Sequence, residues 1–375
     1  MSIVEKPPRT GTAALSQVAD RQAIAATLAR HSRGVDRNDL ALLRSAYHAD
    51  AQVSYGMFNG PAADMAAYLT GSMLGQPTTL HRTSNMWIAL DGDRARSESY
   101  VIAYLSTPDG DAGQVQRLIG GRYLDRHERR DGAWRIVHRT YVMDWNSNRP
   151  GTEAPTDGSA VALDAFAPRG GQLNLDPGTT LLALWKTRQD QPPAERTPDM
   201  QPQETPTAID AVIARDAIHQ LAVAYCRGVD RADAALIRSV FHEDGSFLGA
   251  GLSGSADSFA AATVDLVRTA LKTSFHSIAN EWVEVNGDHA IGEIYVIAFS
   301  RTNGGPDGDQ DNFIGGRYLD RYERRAGAWK IAERVFVQDW MTTHPSTHQE
   351  EGMYEQLPTR GRFVPDDPVY AFWAA

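Results

Sequence analysis

Apolar residues recur at helical spacing through Val18, Ile24, Leu28 and Val35, which predicts an amphipathic helix beginning near Gln17. Asp39 follows as the N-cap of a second helix through Leu42, Leu43 and Tyr47. Residues 57–75 predict a third helix that covers one mouth of the fold. From Thr79 onward the pattern changes to strands at 79–87 and 97–106, separated by the turn Asp91-Gly92-Asp93. Leu118 to Trp145 then reads as a β-hairpin. Runs rich in Tyr, Ile, Val and Trp flank Asp131-Gly132, a pair that tolerates the positive φ of a tight turn. His48 and His242, each two residues before an aspartate, are expected to end the second helix of their segment as caps.

The hairpin returns. Residues 313–340 repeat residues 118–145 with 19 of 28 positions identical at an offset of 195. Arg33-Gly34-Val35-Asp36-Arg37 returns as Arg227-Gly228-Val229-Asp230-Arg231 at an offset of 194, so one residue was inserted in between. Thr79 to Trp87 is matched by Ser274 to Trp282, and apolar anchors at Asp176–Trp185 and Asp367–Trp373 close the copies. Residues 191–207 form a Pro-rich linker too poor in apolar residues to build a core. The expected organisation is a first domain at 1–190, the linker, and a second domain at 208–375. Helices first and an antiparallel meander second give an α+β fold with helices on one face of each sheet.

A net charge of −10 and a pI near 5.6 argue against duplex nucleic acid and against an anionic membrane surface. Cys226 is the only cysteine, so no intrachain disulfide can form. The first residues lack the apolar segment of a signal peptide, and no run approaches the roughly 20 apolar residues of a membrane span. A cytoplasmic protein is expected. His344 and His348 have helical metal-ligand spacing, but Pro345 between them points to a loop, and no metal or cofactor is expected.

The pattern Gly-x-Asp-Arg, then His-x-x-x-Asn, then Gly-Gly-x-Tyr-x-Asp-x-x-Glu-Arg-Arg-x-Gly-x-Trp resembles the SnoaL-like branch of the nuclear transport factor 2-like superfamily. Within it the chain looks most like hexachlorocyclohexane dehydrochlorinase, bile-acid 7α-dehydratase and scytalone dehydratase. The resemblance implies two tandem cone-shaped domains, each a curved sheet around an apolar pocket closed by N-terminal helices. It says far less about the reaction, because this fold also hosts isomerases, cyclases, hydrolases and non-enzymes.

Asp36 with His81, and Asp230 with His276, match the family's catalytic Asp-His dyad. A histidine that abstracts a carbon-bound proton needs one ring nitrogen free and the other held by an acceptor, which a buried carboxylate supplies. Arg139 and Arg334 match an active-site arginine of the dehydrochlorinases and are expected to steady negative charge. Five residues before the dyad aspartate stand Tyr225 in the second copy and His31 in the first. The resemblance places a proton-donating tyrosine there, so His31 serves only if cationic. Asn85, Asn280, Tyr55, Tyr100 and Tyr295 are candidate substrate contacts. Tyr55 lacks a tyrosine counterpart, Leu248 standing near the equivalent strand start.

These residues together lead to a cofactor-independent lyase acting on an apolar cyclic or aromatic small molecule, losing water, halide or a small carbonyl. An isomerase on a similar substrate, or a non-catalytic binding protein with the same pockets, is the alternative. Association into a homo-oligomer is expected.

Overall fold

The structure, a computed structural model, describes residues 12–75, 79–108, 114–150, 172–176, 179, 206–249, 252–304 and 308–375. The first repeat runs α1 (Thr12–Asp36), α2 (Leu40–Ser45), β1 (Tyr47–Ser54), β2 (Asn59–Pro61), α3 (Ala62–Met73), β3 (Leu80–Asp91), β4 (Arg94–Pro108), β5 (Gln114–Arg130) and β6 (Ala133–Pro150). The second repeats it as α4 (Pro206–Asp230), α5 (Ala234–Ser239), β7 (Phe241–Gly249), β8 (Leu252–Ser255), α6 (Ala256–Ala270), β9 (Leu271–Asn286), β10 (His289–Thr302), β11 (Gln310–Arg325) and β12 (Ala328–Pro345). A short C-terminal helix, α7 (Pro368–Ala374), ends the chain. Among the described residues no helix is long and apolar enough to cross a membrane.

Each repeat builds one six-stranded sheet, in the orders β2-β1-β6-β5-β4-β3 and β8-β7-β12-β11-β10-β9. Only β1 with β6 and β7 with β12 are parallel; the rest is an antiparallel meander, as the sequence predicts. The hairpin turns have left-handed φ at both central residues, 52° and 75° at Asp131-Gly132 and 50° and 81° at Ala326-Gly327. Each central hairpin strand bulges at its glycine pair. A Cβ on Gly121 would lie 2.5 Å from the Val142 carbonyl oxygen, and Gly316 is equally close to that of Val337. Only glycine allows this approach, which bends the sheet over the helices. Asp39 and Asp233 cap α2 and α5 by accepting the N–H of Leu42 at 2.9 Å and Leu236 at 3.0 Å.

Several local expectations are corrected. α1 begins at Thr12, not Gln17, and a short strand precedes α3 in the 57–75 region. His48 and His242 lie in strands, not at helix ends; their Nε2 atoms contact the carbonyls of Glu128 and Glu323 at 3.0 and 2.9 Å. His344, expected in a loop, lies in β12, while His348 lies beyond the strand. Residues 191–205 of the expected linker and most of the first anchor lie outside the described residues; Pro206 and Thr207 belong to α4.

The repeats are not beads on a string. The tail after β12 crosses to the first repeat. Gly361 N–H donates to the Met143 carbonyl at 2.9 Å and Met143 N–H to that of Thr359 at 3.0 Å. Tyr354 and Leu357 are buried in the first repeat's core beside Tyr55 and Tyr141. Farther on, Asp367 joins Asp144 and Glu98 around Arg122, with contacts of 2.7, 2.9 and 3.2 Å. Arg231 enters the same buried cluster, 3.0 Å from Asp144. Every charge there has an opposite partner, the condition under which buried ions are tolerated.

Candidate active site

Asp36 and Asp230 are the last residues of α1 and α4, so their side chains leave the helix ends toward the sheet. The edge strands β3 and β9 bring His81 and His276 to meet them. His81 Nδ1 lies 2.7 Å from Asp36 Oδ1, and the His81 backbone N–H donates to Oδ2 at 2.8 Å. The Thr79 hydroxyl donates to Oδ1 at 2.8 Å. The second repeat copies this arrangement: His276 Nδ1 to Asp230 at 2.6 Å, His276 N–H at 2.9 Å and the Ser274 hydroxyl at 2.9 Å. Burial works to raise the Asp230 carboxyl, but the charge and hydrogen bonds of His276 outweigh it and hold the group below the usual carboxylate range. In a neutral imidazole the ring nitrogen facing a carboxylate is the one that carries the proton, which leaves the lone pair on Nε2. Among the described residues Nε2 of neither histidine meets a hydrogen-bond partner, and the imidazoles remain 17% and 20% accessible.

β6 and β12 supply Arg139 and Arg334, both fully buried. Each forks onto an aspartate of the neighbouring strand, Asp125 or Asp320, with both contacts at 2.7 Å. Arg139 lies 3.8 Å above the Tyr123 ring; Arg334 lies between Tyr225 and Tyr318, at 4.1 and 4.2 Å. In each guanidinium the Nη1 atom is buried without a hydrogen-bond partner among the described residues, leaving N–H groups for something else.

The copies diverge around the residue five before the dyad aspartate. His31 is buried between the hydroxyls of Tyr47, 3.0 Å from Nδ1, and Tyr55, 3.4 Å from Nε2. Burial, reinforced by the charges of Arg139 and His81, holds its pKa well below the usual value. The cationic form needed for an acid role is therefore disfavoured, which corrects that expectation. Burial raises the Tyr225 phenol, so it stays protonated. Around it Phe241 stands where the first repeat has Tyr47 and Phe259 where it has Met65, and Phe247 stacks on Phe259 at 3.7 Å. The strand register pairs Val53 with Arg139 and Phe247 with Arg334, so the counterpart of Tyr55 is Gly249 rather than Leu248.

Four expected substrate contacts face elsewhere. Asn85 gives its whole amide to the other repeat, donating to the His276 carbonyl at 2.7 Å and accepting the Ile278 N–H at 2.9 Å. Asn280 is exposed. Tyr100 lies on the outer sheet face, buried against Phe275 at 4.7 Å between ring centroids, and Tyr295 at the matching place is 45% exposed. Tyr55 alone lines the site, stacked on Tyr141 at 5.7 Å. Sequence reasoning missed Asp125, Asp320, Tyr123 and Tyr318. The signal was present in the repeated Gly-Gly-x-Tyr-x-Asp, where Tyr and Asp two residues apart share a strand face. Cys226 is buried and its thiol pushed up by burial, so it packs rather than reacts.

The SnoaL-like domain profile matches the chain twice, over residues 16–140 and 210–335. The chain belongs to the SnoaL-like family. Solved structures similar to its SnoaL-like repeats include a hexachlorocyclohexane dehydrochlorinase, LinA type 2, at 22% identity over 37% of this chain and 95% of that one, with a TM-score of 0.34. The LinA type 3 enzyme of Novosphingobium barchaimii is 23% identical over the same shares, with a TM-score of 0.34. A putative scytalone dehydratase from Novosphingobium aromaticivorans is 18% identical over 36% of this chain and 91% of that one, at a TM-score of 0.32. No curated protein matches the chain. The match shows a SnoaL-like fold with distant likeness to dehydrochlorinases and dehydratases.

Proposed function

We propose that the protein is a cofactor-independent lyase that eliminates a leaving group from an apolar cyclic or aromatic small molecule. The observation carrying this reading is the dyad itself. In both repeats an imidazole is gripped at Nδ1 and at its backbone N–H by one buried carboxylate, with Nε2 unpartnered. Nε2 takes the proton from carbon, the C–H electron pair becomes the new double bond, and the leaving group departs with its own bonding pair. Asp230 steadies the imidazolium that forms. The spare Nη1 of Arg334 receives the departing anion, and for an oxygen leaving group Tyr225 gives up its phenolic proton. The aromatic rings around Tyr225 suit an apolar ring better than the hydroxyl-lined first site. The second repeat is therefore the elimination site in this reading. The first takes a related but more polar compound.

The test is a panel of hydroxylated and halogenated cyclic compounds incubated with the wild type, His276→Ala and His81→Ala. Turnover with a primary deuterium isotope effect at the abstracted position, lost in His276→Ala, is expected. Undiminished turnover in both histidine variants would overturn the mechanism.

A further inference from the structure

The outer faces of the two sheets carry matching rows of side chains, and only one row is covered. In the first repeat Trp87, Glu98 and Leu124 stand side by side across β3, β4 and β5, and are 5%, 1% and 2% exposed. The second repeat covers them. The Trp373 ring lies 5.8 Å from Trp87, Arg227 stands 3.4 Å from Glu98, and Val369 packs on Leu124. In the second repeat Trp282, Glu293 and Leu319 occupy the same places across β9, β10 and β11, yet Trp282 is 66% and Leu319 37% exposed. Ile291, Tyr295 and Ile297 extend the patch at 58%, 45% and 40% exposure. A groove of about 410 Å³ runs between Trp282, Ile291, Leu319 and Val335. The buried Arg122 cluster reappears here in the open, as Arg317 with Asp339 and Glu293 at 2.9 and 3.6 Å. Apolar surface so concentrated on a soluble domain marks a contact surface.

We propose that this face binds the first repeat of a second copy of the chain, in the way the second repeat packs on the first within one chain. The contact inside the chain is heterologous: the helix end and edge strand of one repeat sit on the outer sheet face of the other. Such a contact leaves one acceptor face and one donor edge unfilled, and the same contact repeats between chains. Two of the donor residues have equivalents among the described residues of the first repeat. Arg227, beside Glu98, corresponds to Arg33, whose side chain is 31% accessible. Phe275, against Tyr100, corresponds to Leu80, 56% exposed. Leu80 of one copy then meets Tyr295 of the next, and Arg33 approaches Glu293. Two open faces meeting each other fit less well. They would bring Glu284, Glu293, Glu333 and Asp339 of both copies together with only Arg317 and Arg321 to balance them.

Sedimentation equilibrium of the full chain over a wide concentration range tests this. The wild type is expected at a multiple of its 41.1 kDa chain mass. Trp282→Arg and Tyr295→Glu damage the acceptor face, and Leu80→Arg the donor edge; all three sites are exposed, so unchanged thermal unfolding confirms that the variants fold. Each alone is expected to sediment as a single chain. Mixing Trp282→Arg with Leu80→Arg is expected to restore a two-chain species, because the pair retains one intact face and one intact edge. A wild type that stays single-chain throughout overturns the proposal, whatever else covers the patch. So does association that survives all three changes, or a mixture that fails to associate.

Discussion

The amide of Asn85 brackets His276 across the repeat boundary, donating to its carbonyl at 2.7 Å and accepting from the N–H of Ile278 at 2.9 Å. The side chain stands in for a strand partner, and its left-handed φ of 46° at a bulge in β3 aims it there. The first repeat thereby holds the strand that carries the second repeat's imidazole.

Asn85→Ala is expected to weaken the second site although the change lies in the first repeat. Two buried hydrogen bonds of about 1 kcal/mol each are lost. Asn85→Asp should be no better, since it turns a carboxylate toward the His276 carbonyl. Turnover in a His81→Ala background reads this out; wild-type turnover in both variants would show that the bracket is dispensable.

Asp230→Asn is expected to leave the fold intact and turn the imidazole to the wrong tautomer, because an amide donates where the carboxylate accepted. By analogy with another carboxylate-oriented histidine the loss is about 10⁴-fold in kcat. Nitrogen NMR of the imidazole, which distinguishes the protonated ring atom, checks the cause directly.

Burial brings the His127 imidazole down to about 4. Between about pH 4 and 6.5 the unfolded chain binds a proton that the folded one refuses. Its contribution is therefore fully present above about pH 6.5 and is lost as pH falls through that window, with a slope of up to about 1.4 kcal/mol per pH unit. His127→Gln should flatten the dependence of unfolding free energy on pH there. At lower pH Asp230 and Asp367 take over. Both carboxyls are held below their ordinary range, so their stabilisation is present above about pH 4 and disappears as pH falls through their folded values.

Leu357→Ala, in the tail segment buried in the first repeat, should cost about 2–5 kcal/mol, the range for truncating a buried leucine. Gly56→Ala should act on the same contact from the other side. Its φ is 87°, and a Cβ there would lie 2.3 Å from the Gln356 carbonyl oxygen. Chemical denaturation measures both. Equal stability of Leu357→Ala and the wild type would mean the tail does not contribute to that core.

The dyad was legible in the sequence because its parts recur together in both repeats, and the hairpin because its turn residues are permissive for left-handed backbone. What failed was parity and partnership. Ser97 contacts His127 at 2.8 Å on the inner face, so Tyr100, three residues on, must point outward; a strand alternates strictly and the sequence does not say which set is inside. Asn85 looked like a ligand because its partner lies 191 residues away in the other repeat, where local pattern has no reach. His31 matched its position but not its surroundings. Burial, an arginine from β6 and a second histidine from β3 decide its charge. Two tyrosines, one opening β1 and one just past its end, hold the ring.

Tyr354 and Leu357 are encoded with the second repeat yet fill the first. A gene split at the linker would therefore yield a leading half with a hole in its interior and a trailing half with greasy side chains left bare. Once such an exchange of ends is fixed after duplication, fission is no longer a neutral route, and the two halves inherit each other's mutations.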